Sequence, residues 1–241
     1  MSLIASLCAS IVLSQQKPDL DRYVYPRTPE MACPPVEIDV SDFPESEAWA
    51  MRAKRLIENW YGPLTALLAT DGRDPVTHGL TGKAYKSNDK IRLVIKKEIS
   101  APAWAAGGEI TVSGKWITQH PDDLGMIIHE LTHVVQAYPD FKGKPGWLVE
   151  GIADYTRWWK YEPELHATRG RTKPDFSNAK YTDSYRTTAV WLAFISKKYD
   201  MRLVPSLDLE MRSGRDPMPI FEKLTGKSAD ALWDEFAKES G

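Results

Sequence analysis

The chain has 241 residues, of which 42% are hydrophobic and 27% are charged, and its formal net charge is −2. These values are typical of an ordinary globular protein and give no indication of disorder, a coiled coil or a repeat array. Because the lysines and arginines are scattered along the chain, we expect no nucleic-acid-binding surface.

The N-terminal segment differs in composition from the rest of the chain. Residues 3–13 are apolar and uncharged, and the polar Ser14-Gln15-Gln16 follows directly. This run is too short to span a bilayer, and its length is typical of a signal-peptide core. We predict a signal peptide over residues 1–14, a linker or N-terminal arm over residues 15–35, and a secreted protein (extracellular or periplasmic) without a membrane span. The alternative is an N-terminal strand or helix that docks on the domain.

The chain contains only two cysteines, Cys8 and Cys33. If the leader is removed, Cys33 remains alone and no intramolecular disulfide can form. A zinc site built from thiolates is excluded because there are too few of them. Any metal ion must therefore be held by histidine and carboxylate side chains.

The first predicted elements after the arm are a strand and a long helix. Residues 36–40 alternate apolar and acidic side chains, which predicts a half-buried strand. A helix is predicted to begin at Pro44, because apolar residues recur from there to Leu68 at helical spacing. Gly62-Pro63 is expected to kink or split this helix.

Further strands are predicted over residues 91–95 and 109–113, followed by a helix that begins at Pro121. All later patterns are helical, and they cover residues 147–160, 182–199, 205–213, 217–224 and 229–238. Because the strands come first and the helices later, we predict one α+β domain over residues 36–241.

The helix that begins at Pro121 contains His129-Glu130-Leu131-Thr132-His133. Residues four apart lie on one face of a helix, so both imidazoles can bind one metal ion from successive turns. Neutral imidazoles suit Zn²⁺, and Glu130 is placed to take a proton from an activated water molecule. The alternative is a surface helix with two solvated histidines. The apolar residues around them predict burial, however, and buried histidines need partners or a metal.

A catalytic zinc ion needs a third protein ligand and a free coordination position. A third histidine in the extended form HExxHxxGxxH is excluded, because the chain has Gln136 and Pro139 where this form requires Gly and His. Glu150, on the following predicted helix, remains as the candidate. Asp154 lies one turn further on the same face and can accept the second ring N–H of a metal-bound histidine. The alternative for both carboxylates is an exposed acidic helix face.

The segments HELTHVVQ and GWLVEGIADYTRWW, separated by a Pro/Gly-rich break, resemble the plant basic secretory protein family and its bacterial relatives. The resemblance extends to VEIDVSDFPESEAWAMRAKRLIENWY before them and to YRTTAVWLAFI and FEKLTGKSADALWDEF after them. It implies a gluzincin-type metallopeptidase with a zincin-like fold, in which a small twisted sheet lies over the HExxH helix and the C-terminal half is helical. It also implies zinc on His129, His133 and Glu150, with Glu130 as the base and Asp154 as the hydrogen-bond partner of a zinc ligand. Since this chain is not basic, nothing about cationic targets is carried over.

Peptide hydrolysis also needs a hydrogen-bond donor for the developing oxyanion. We predict Tyr185, at the start of the next helix, as this donor and His166 as the second choice, with packing as the alternative role for Tyr185. The strand with Gly108, Ile110 and Val112 is predicted to be an edge strand beside the cleft. It would either pair with an extended peptide substrate or be a protected edge without a ligand.

The sequence therefore predicts a secreted metallopeptidase with one zinc ion per chain that acts on peptide or protein substrates. The alternative is a secreted cell-wall or carbohydrate-binding module with a structural zinc site, in which some of the nine tryptophans bind sugar rings. Glu130 distinguishes the two, because a closed structural site has no use for a base beside the metal. Hydrolysis of a non-peptide amide would use the same chemistry, and neither the cleavage specificity nor the oligomeric state follows from the sequence.

Overall fold

The computed structural model describes residues 31–162 and 174–240. The predicted signal peptide and most of the predicted linker lie outside these residues, so both stay predictions, as do the domain boundaries. Among the described residues all four strands lie before residue 114, and every α-helix except the one over Glu47–Leu67 follows them, which confirms the α+β class. No helix among them is both long and apolar enough to cross a membrane.

A four-stranded sheet precedes most of the helices. β2 lies parallel to both β1 and β4, whereas β3 is antiparallel to β4, and the order across the sheet is β1-β2-β4-β3. The apolar side chains of the two central strands are buried, which places the sheet against the core. The four strands are Val36–Asp39 (β1), Ile91–Lys96 (β2), Ala103–Ala106 (β3) and Glu109–Ser113 (β4).

The sequence patterns do not predict β3, because its three alanines and Trp104 include no β-branched side chain. The turn that joins it to β4 is nevertheless visible in the sequence. Gly107 and Gly108 have φ angles of 56° and 89°, in the left-handed region that a two-residue hairpin turn requires and that glycine adopts without strain. A Gly-Gly pair directly before a predicted strand is therefore the signal that could have located β3.

The prediction of an edge strand over Gly108, Ile110 and Val112 is wrong. β4, with Ile110 and Val112, lies inside the sheet between β2 and β3. Gly108, in the turn before it, already accepts a hydrogen bond from the Arg92 backbone N–H. The predicted substrate-binding residues Gly108, Ile110 and Val112 are thus engaged within the sheet and cannot pair with a peptide. In the described part of the chain, β1 and β3 form the two edges.

The long N-terminal helix, Glu47–Leu67 (α1), follows a single 3-10 turn. Pro63 lies inside α1, so of the predicted kink or split the split does not occur, and the kink stays a prediction. A proline in a helix interior costs about 3 kcal/mol relative to alanine. The helix continues because the four residues after Pro63 are buried, and their packing offsets this cost.

Seven further helices follow α1 within the described residues. The helices predicted after Pro139 are all present, and their starts differ from the predicted ones by at most three residues. One of them, α4, continues as a π-helical segment over Thr156–Tyr161. The seven helices are Gly114–Gln119 (α2), Gly125–Gln136 (α3), Gly146–Tyr155 (α4), Tyr185–Lys198 (α5), Leu203–Arg212 (α6), Pro219–Thr225 (α7) and Ala229–Ser240 (α8).

The HExxH helix α3 begins four residues later than predicted, at Gly125 instead of Pro121. The residues before it are engaged with other elements. The Pro121 carbonyl accepts a hydrogen bond from the Trp49 indole, and the Asp123 carboxylate accepts one from the Arg157 guanidinium. α3 packs against β3 and β4 and also against α1 and α4. This central position explains why the helix is apolar on several faces.

Candidate metal centre

Three side chains of the kind that bind metals converge between α3 and α4, and we refer to His129, His133 and Glu150 as the ligand cluster. The Nε2 atoms of the two histidines, on successive turns of α3, are 3.1 Å apart. A carboxylate oxygen of Glu150, on α4, lies 3.2 Å from Nε2 of His129 and 3.4 Å from Nε2 of His133. The structure thus brings together the three residues that the sequence indicates as metal ligands.

Asp154 orients the ring of His129. It lies one turn beyond Glu150 on α4, and its Oδ1 is 2.8 Å from Nδ1 of His129. An ionised carboxylate only accepts hydrogen bonds, so Nδ1 carries the proton and donates it. Nε2, on the other side of the ring, then presents a lone pair.

Gln136 orients the ring of His133 in the same way. Its side-chain amide nitrogen donates a hydrogen bond to the Val149 carbonyl at 3.1 Å, which defines the end of the amide that carries the oxygen. That oxygen, Oε1, lies 2.8 Å from Nδ1 of His133. Nδ1 is therefore the donor here too, and Nε2 of His133 also presents a lone pair.

The ligand cluster fits a tetrahedral zinc ion. Two imidazole nitrogens and a carboxylate oxygen, all of them acceptors, lie 3.1–3.4 Å apart, so a proton or a cation has to be shared between them. Zinc–ligand bonds of about 2.0–2.1 Å place the corners of a tetrahedron about 3.3–3.4 Å apart. Three protein ligands would take three corners and leave the fourth for water or substrate.

The carboxylates create a negative potential at the ligand cluster. Burial lowers the pKa of His129, but hydrogen bonds to Asp154 and Glu150 outweigh burial and raise this pKa to about 9. Burial raises the pKa of Glu150, but its contacts with both histidines outweigh burial and lower this pKa to about 2. The cluster therefore favours a positive charge, either a proton or a divalent cation, where its three ligand atoms meet.

Glu130 lies beside the ligand cluster on α3. Its side chain is buried, and its carboxylate makes no hydrogen bond or ion pair within the described part of the chain. Burial raises the pKa of Glu130 against the opposing effect of the nearby histidines. A raised pKa suits a carboxylate that takes up a proton and releases it again near neutral pH.

A cavity of about 710 Å³ borders the ligand cluster, Glu130 and Asp154. Its wall also includes residues 101–105, the last three of which belong to β3, and residues 183–187 around the start of α5. A second cavity of about 290 Å³ shares Ala105, His133 and Glu150 with the first. The two cavities therefore meet at the ligand cluster, and β3 contributes to both.

Tyr185 lies at the wall of the larger cavity, and its ring stacks on that of His129 with 6.1 Å between the ring centres. Ser184 and Tyr185 have φ angles of 66° and 49°, a strained conformation for residues with a Cβ atom that costs about 1–3 kcal/mol each. The contact between α4 and α5 maintains this position. Gly151 of α4 meets Thr188 of α5 so closely that a Cβ atom at position 151 would lie 2.2 Å from the Thr188 methyl group.

The structure thus places the first predicted oxyanion donor at the cavity that borders the ligand cluster. The charge of Glu150 raises the pKa of Tyr185, so its phenol keeps its proton and can donate a hydrogen bond. His166, the second choice, lies outside the described residues.

A second buried polar network lies at the C-terminal end of α3, and we refer to Tyr138, Asp208 and Arg212 as the capping network. The Arg212 guanidinium donates to the Asp208 carboxylate at 2.6 Å and to the backbone carbonyls of Val135 and Gln136 at 2.9 and 3.1 Å. The Tyr138 hydroxyl donates to the other Asp208 oxygen at 2.6 Å. Because the last carbonyls of a helix lack partners within the helix, this network completes the end of α3.

Sequence reasoning missed two features of the site. In the sequence, Gln136 serves only to exclude the HExxHxxGxxH form, which would supply a third histidine. A glutamine on an apolar, buried helix is nevertheless itself a signal for a buried hydrogen bond. Trp104 of β3, which lines the larger cavity, is missed together with its strand. It is 44% exposed, unusual for a tryptophan inside a domain.

Comparison with known proteins gives one family. The family model "BSP: Peptidase of plants and bacteria" matches residues 51–236, which is more than half of the chain and includes every residue of the ligand cluster. No curated protein and no solved structure matches the chain significantly.

Proposed function

This chain belongs to the BSP family of peptidases of plants and bacteria, and from that membership we propose that it is a secreted, zinc-dependent metallopeptidase. The observation that carries the proposal is the ligand cluster, in which three acceptor atoms lie at the separations of a tetrahedral zinc site. Two histidines and one carboxylate with a fourth position left open are the ligand set of a catalytic zinc ion. Secretion rests on the apolar leader alone.

His129, His133 and Glu150 would hold the zinc ion, and Asp154 and Gln136 would keep both imidazoles in the tautomer that binds it. Zinc, when bound, lowers the pKa of a water molecule and polarises the carbonyl group of the scissile bond. The zinc-binding helix lies between a small sheet and further helices, which supports a zincin-like fold.

Glu130 is the proposed general base and acid. It takes one proton from the attacking water, whose oxygen forms the new bond to the carbonyl carbon. It then delivers that proton to the nitrogen of the leaving amine as the carbon–nitrogen bond breaks. The burial of its carboxylate, which has no hydrogen-bond partner among the described residues, supports this role. The phenol of Tyr185 is proposed to donate a hydrogen bond to the developing oxyanion.

β3 is the proposed binding edge for the peptide substrate, in place of β4. It has a neighbouring strand on one side only among the described residues, and it contributes to the walls of both cavities that meet at the ligand cluster. An extended peptide could pair with its backbone groups on the open side. Trp104, exposed on this strand, is proposed to contact a substrate side chain.

The test is metal analysis together with digestion of a peptide mixture, in the wild type, in Glu130→Gln and in Glu98→Gln. Glu98 is a surface residue that provides the same chemical change away from the site. We expect about one zinc ion per chain in all three proteins, cleavage by the wild type and Glu98→Gln, and a loss of at least about 100-fold in Glu130→Gln. Zinc without cleavage by the wild type would instead favour a binding module with a structural metal. Equal cleavage by all three proteins would refute the role of Glu130.

A further inference from the structure

We propose that Gln136 is a positioning residue that holds the two ligand-bearing helices in register, so that His133 and Glu150 meet at one metal ion. The inference rests on the proposed zinc binding and adds a residue outside the ligand cluster. It goes beyond orienting one ring, because the Gln136 side chain contacts both helices at once.

The contacts of Gln136 form a short path between two ligands. Gln136 lies in the last turn of α3. Its Oε1 accepts a hydrogen bond from Nδ1–H of His133 at 2.8 Å, and its amide nitrogen donates one to the Val149 carbonyl of α4 at 3.1 Å. Val149 directly precedes Glu150 in the chain. A single amide group therefore connects one ligand to the backbone next to another.

The backbone of Gln136 is itself anchored. Its carbonyl accepts a hydrogen bond from the Arg212 guanidinium at 3.1 Å, and the next residue, Ala137, has a φ angle of 38°, so α3 ends here. Gln136 is 1% exposed, so water cannot readily replace its partners. A side chain that extends from an anchored helix end defines how far α4 lies from α3, which a free surface glutamine would not do.

The same part of the molecule provides a matched control. The hydroxyl groups of Thr132 on α3 and Thr156, directly after α4, are 2.6 Å apart, and both residues are 0% exposed. This contact also connects α3 to the α4 region through a buried hydrogen bond, but neither hydroxyl contacts a member of the ligand cluster. If Gln136 acts only through helix packing, Thr132→Val and a substitution of Gln136 should affect the metal site alike.

The experiment compares Gln136→Met and Thr132→Val with the wild type. Methionine keeps the length and flexibility of glutamine and removes both hydrogen bonds. Three quantities are measured: zinc affinity by competition with a chelator, the visible spectrum of the Co²⁺-loaded protein, and the unfolding temperature of the metal-free protein. We expect zinc affinity to fall about 10–100-fold in Gln136→Met and less than about threefold in Thr132→Val. The Co²⁺ spectrum should change in Gln136→Met only, and both metal-free variants should unfold at a lower temperature than the wild type.

Two results would overturn the inference: unchanged zinc affinity in Gln136→Met, or equal losses in both variants. If Gln136→Met does not fold, Gln136→Asn gives the same comparison, because its shorter amide cannot reach both partners at once. Failure of the proposed function is a separate result, since it would appear as a wild type that binds no zinc or cleaves no peptide.

Discussion

Two buried polar clusters lie against the same helix, α3, and they differ in how their charges are satisfied. In the capping network, donors and acceptors are matched: the Arg212 guanidinium faces a carboxylate and two helix carbonyls, and the Asp208 carboxylate also accepts from a phenol. In the ligand cluster, three acceptor atoms face one another. The first cluster is complete within the protein, whereas the second needs a positive charge from outside or a proton.

This difference separates a structural role from a chemical one. A matched network in a buried position contributes to the end of a helix and gains nothing from a ligand. A set of unmatched acceptors beside a cavity costs the protein free energy unless a cation binds there. We therefore expect substitutions in the two clusters to have opposite signatures: lost stability in the capping network, and lost metal binding in the ligand cluster.

The largest effect is expected for Glu150→Gln. An amide binds Zn²⁺ much more weakly than a carboxylate, and the variant loses one of three ligands together with its charge. Zinc affinity and peptide cleavage should each fall by more than the roughly 10–100-fold that is typical of residues behind the ligands. Isothermal titration with Zn²⁺ measures the first and a peptide digest the second. Zinc affinity within tenfold of the wild type would refute Glu150 as a ligand.

The next largest effect is expected for Arg212→Met. It leaves the Asp208 carboxylate buried without its cationic partner and removes the donor to two carbonyls of α3, which should lower the free energy of unfolding by about 3–5 kcal/mol. The double variant Arg212→Met with Asp208→Leu should recover part of this loss, because it also removes the unpaired charge. Urea denaturation of the metal-free proteins gives both values. A loss below about 1 kcal/mol in Arg212→Met would contradict the role assigned to the network.

Gly151→Ala tests how the oxyanion donor is positioned. The new methyl group would overlap with Thr188, so α5 must move away from α4, at a cost of about 1–3 kcal/mol of unfolding free energy. Because Tyr185 begins α5, kcat should fall while zinc affinity stays close to that of the wild type. Gly146→Ala on the same helix, with open space around its Cβ position, is the control and should leave kcat unchanged. Equal kcat values in wild type and Gly151→Ala would contradict the role of Tyr185 as the oxyanion donor.

The smallest effect is expected for Trp104→Ala on β3. Since this side chain is 44% exposed, the unfolding free energy should change by no more than about 0.5 kcal/mol. A lost substrate contact of about 1.4 kcal/mol would raise KM roughly tenfold with kcat unchanged. Leu80→Ala, at another exposed apolar residue away from both cavities, is the control. A tenfold rise in KM for both variants, or for neither, would exclude a specific contact with Trp104.

Short-range spacing explains what the sequence could predict about the site. His129 and His133 are one helical turn apart, as are Glu150 and Asp154, and the helical period alone places each pair on one face. The Pro/Gly-rich segment between the two helices indicates a reversal of the chain. These local features are enough to indicate the three candidate ligands, the base Glu130 and a carboxylate partner for one of the metal-bound histidines. The α+β class follows in the same way from the order of the elements.

Tertiary structure decided the remaining features, because they depend on contacts between residues that are far apart in the sequence. Whether β4 is an edge depends on its pairing with β3, a strand without β-branched residues, and the start of α3 depends on the partners of Asp123. Arg212 reaches the end of α3 across 77 positions of sequence. Gln136 becomes significant only once α4 brings the Val149 carbonyl to its amide. The helical period of the sequence thus predicts which residues form the site, whereas the alignment of these residues depends on buried polar partners that only the packed fold brings together.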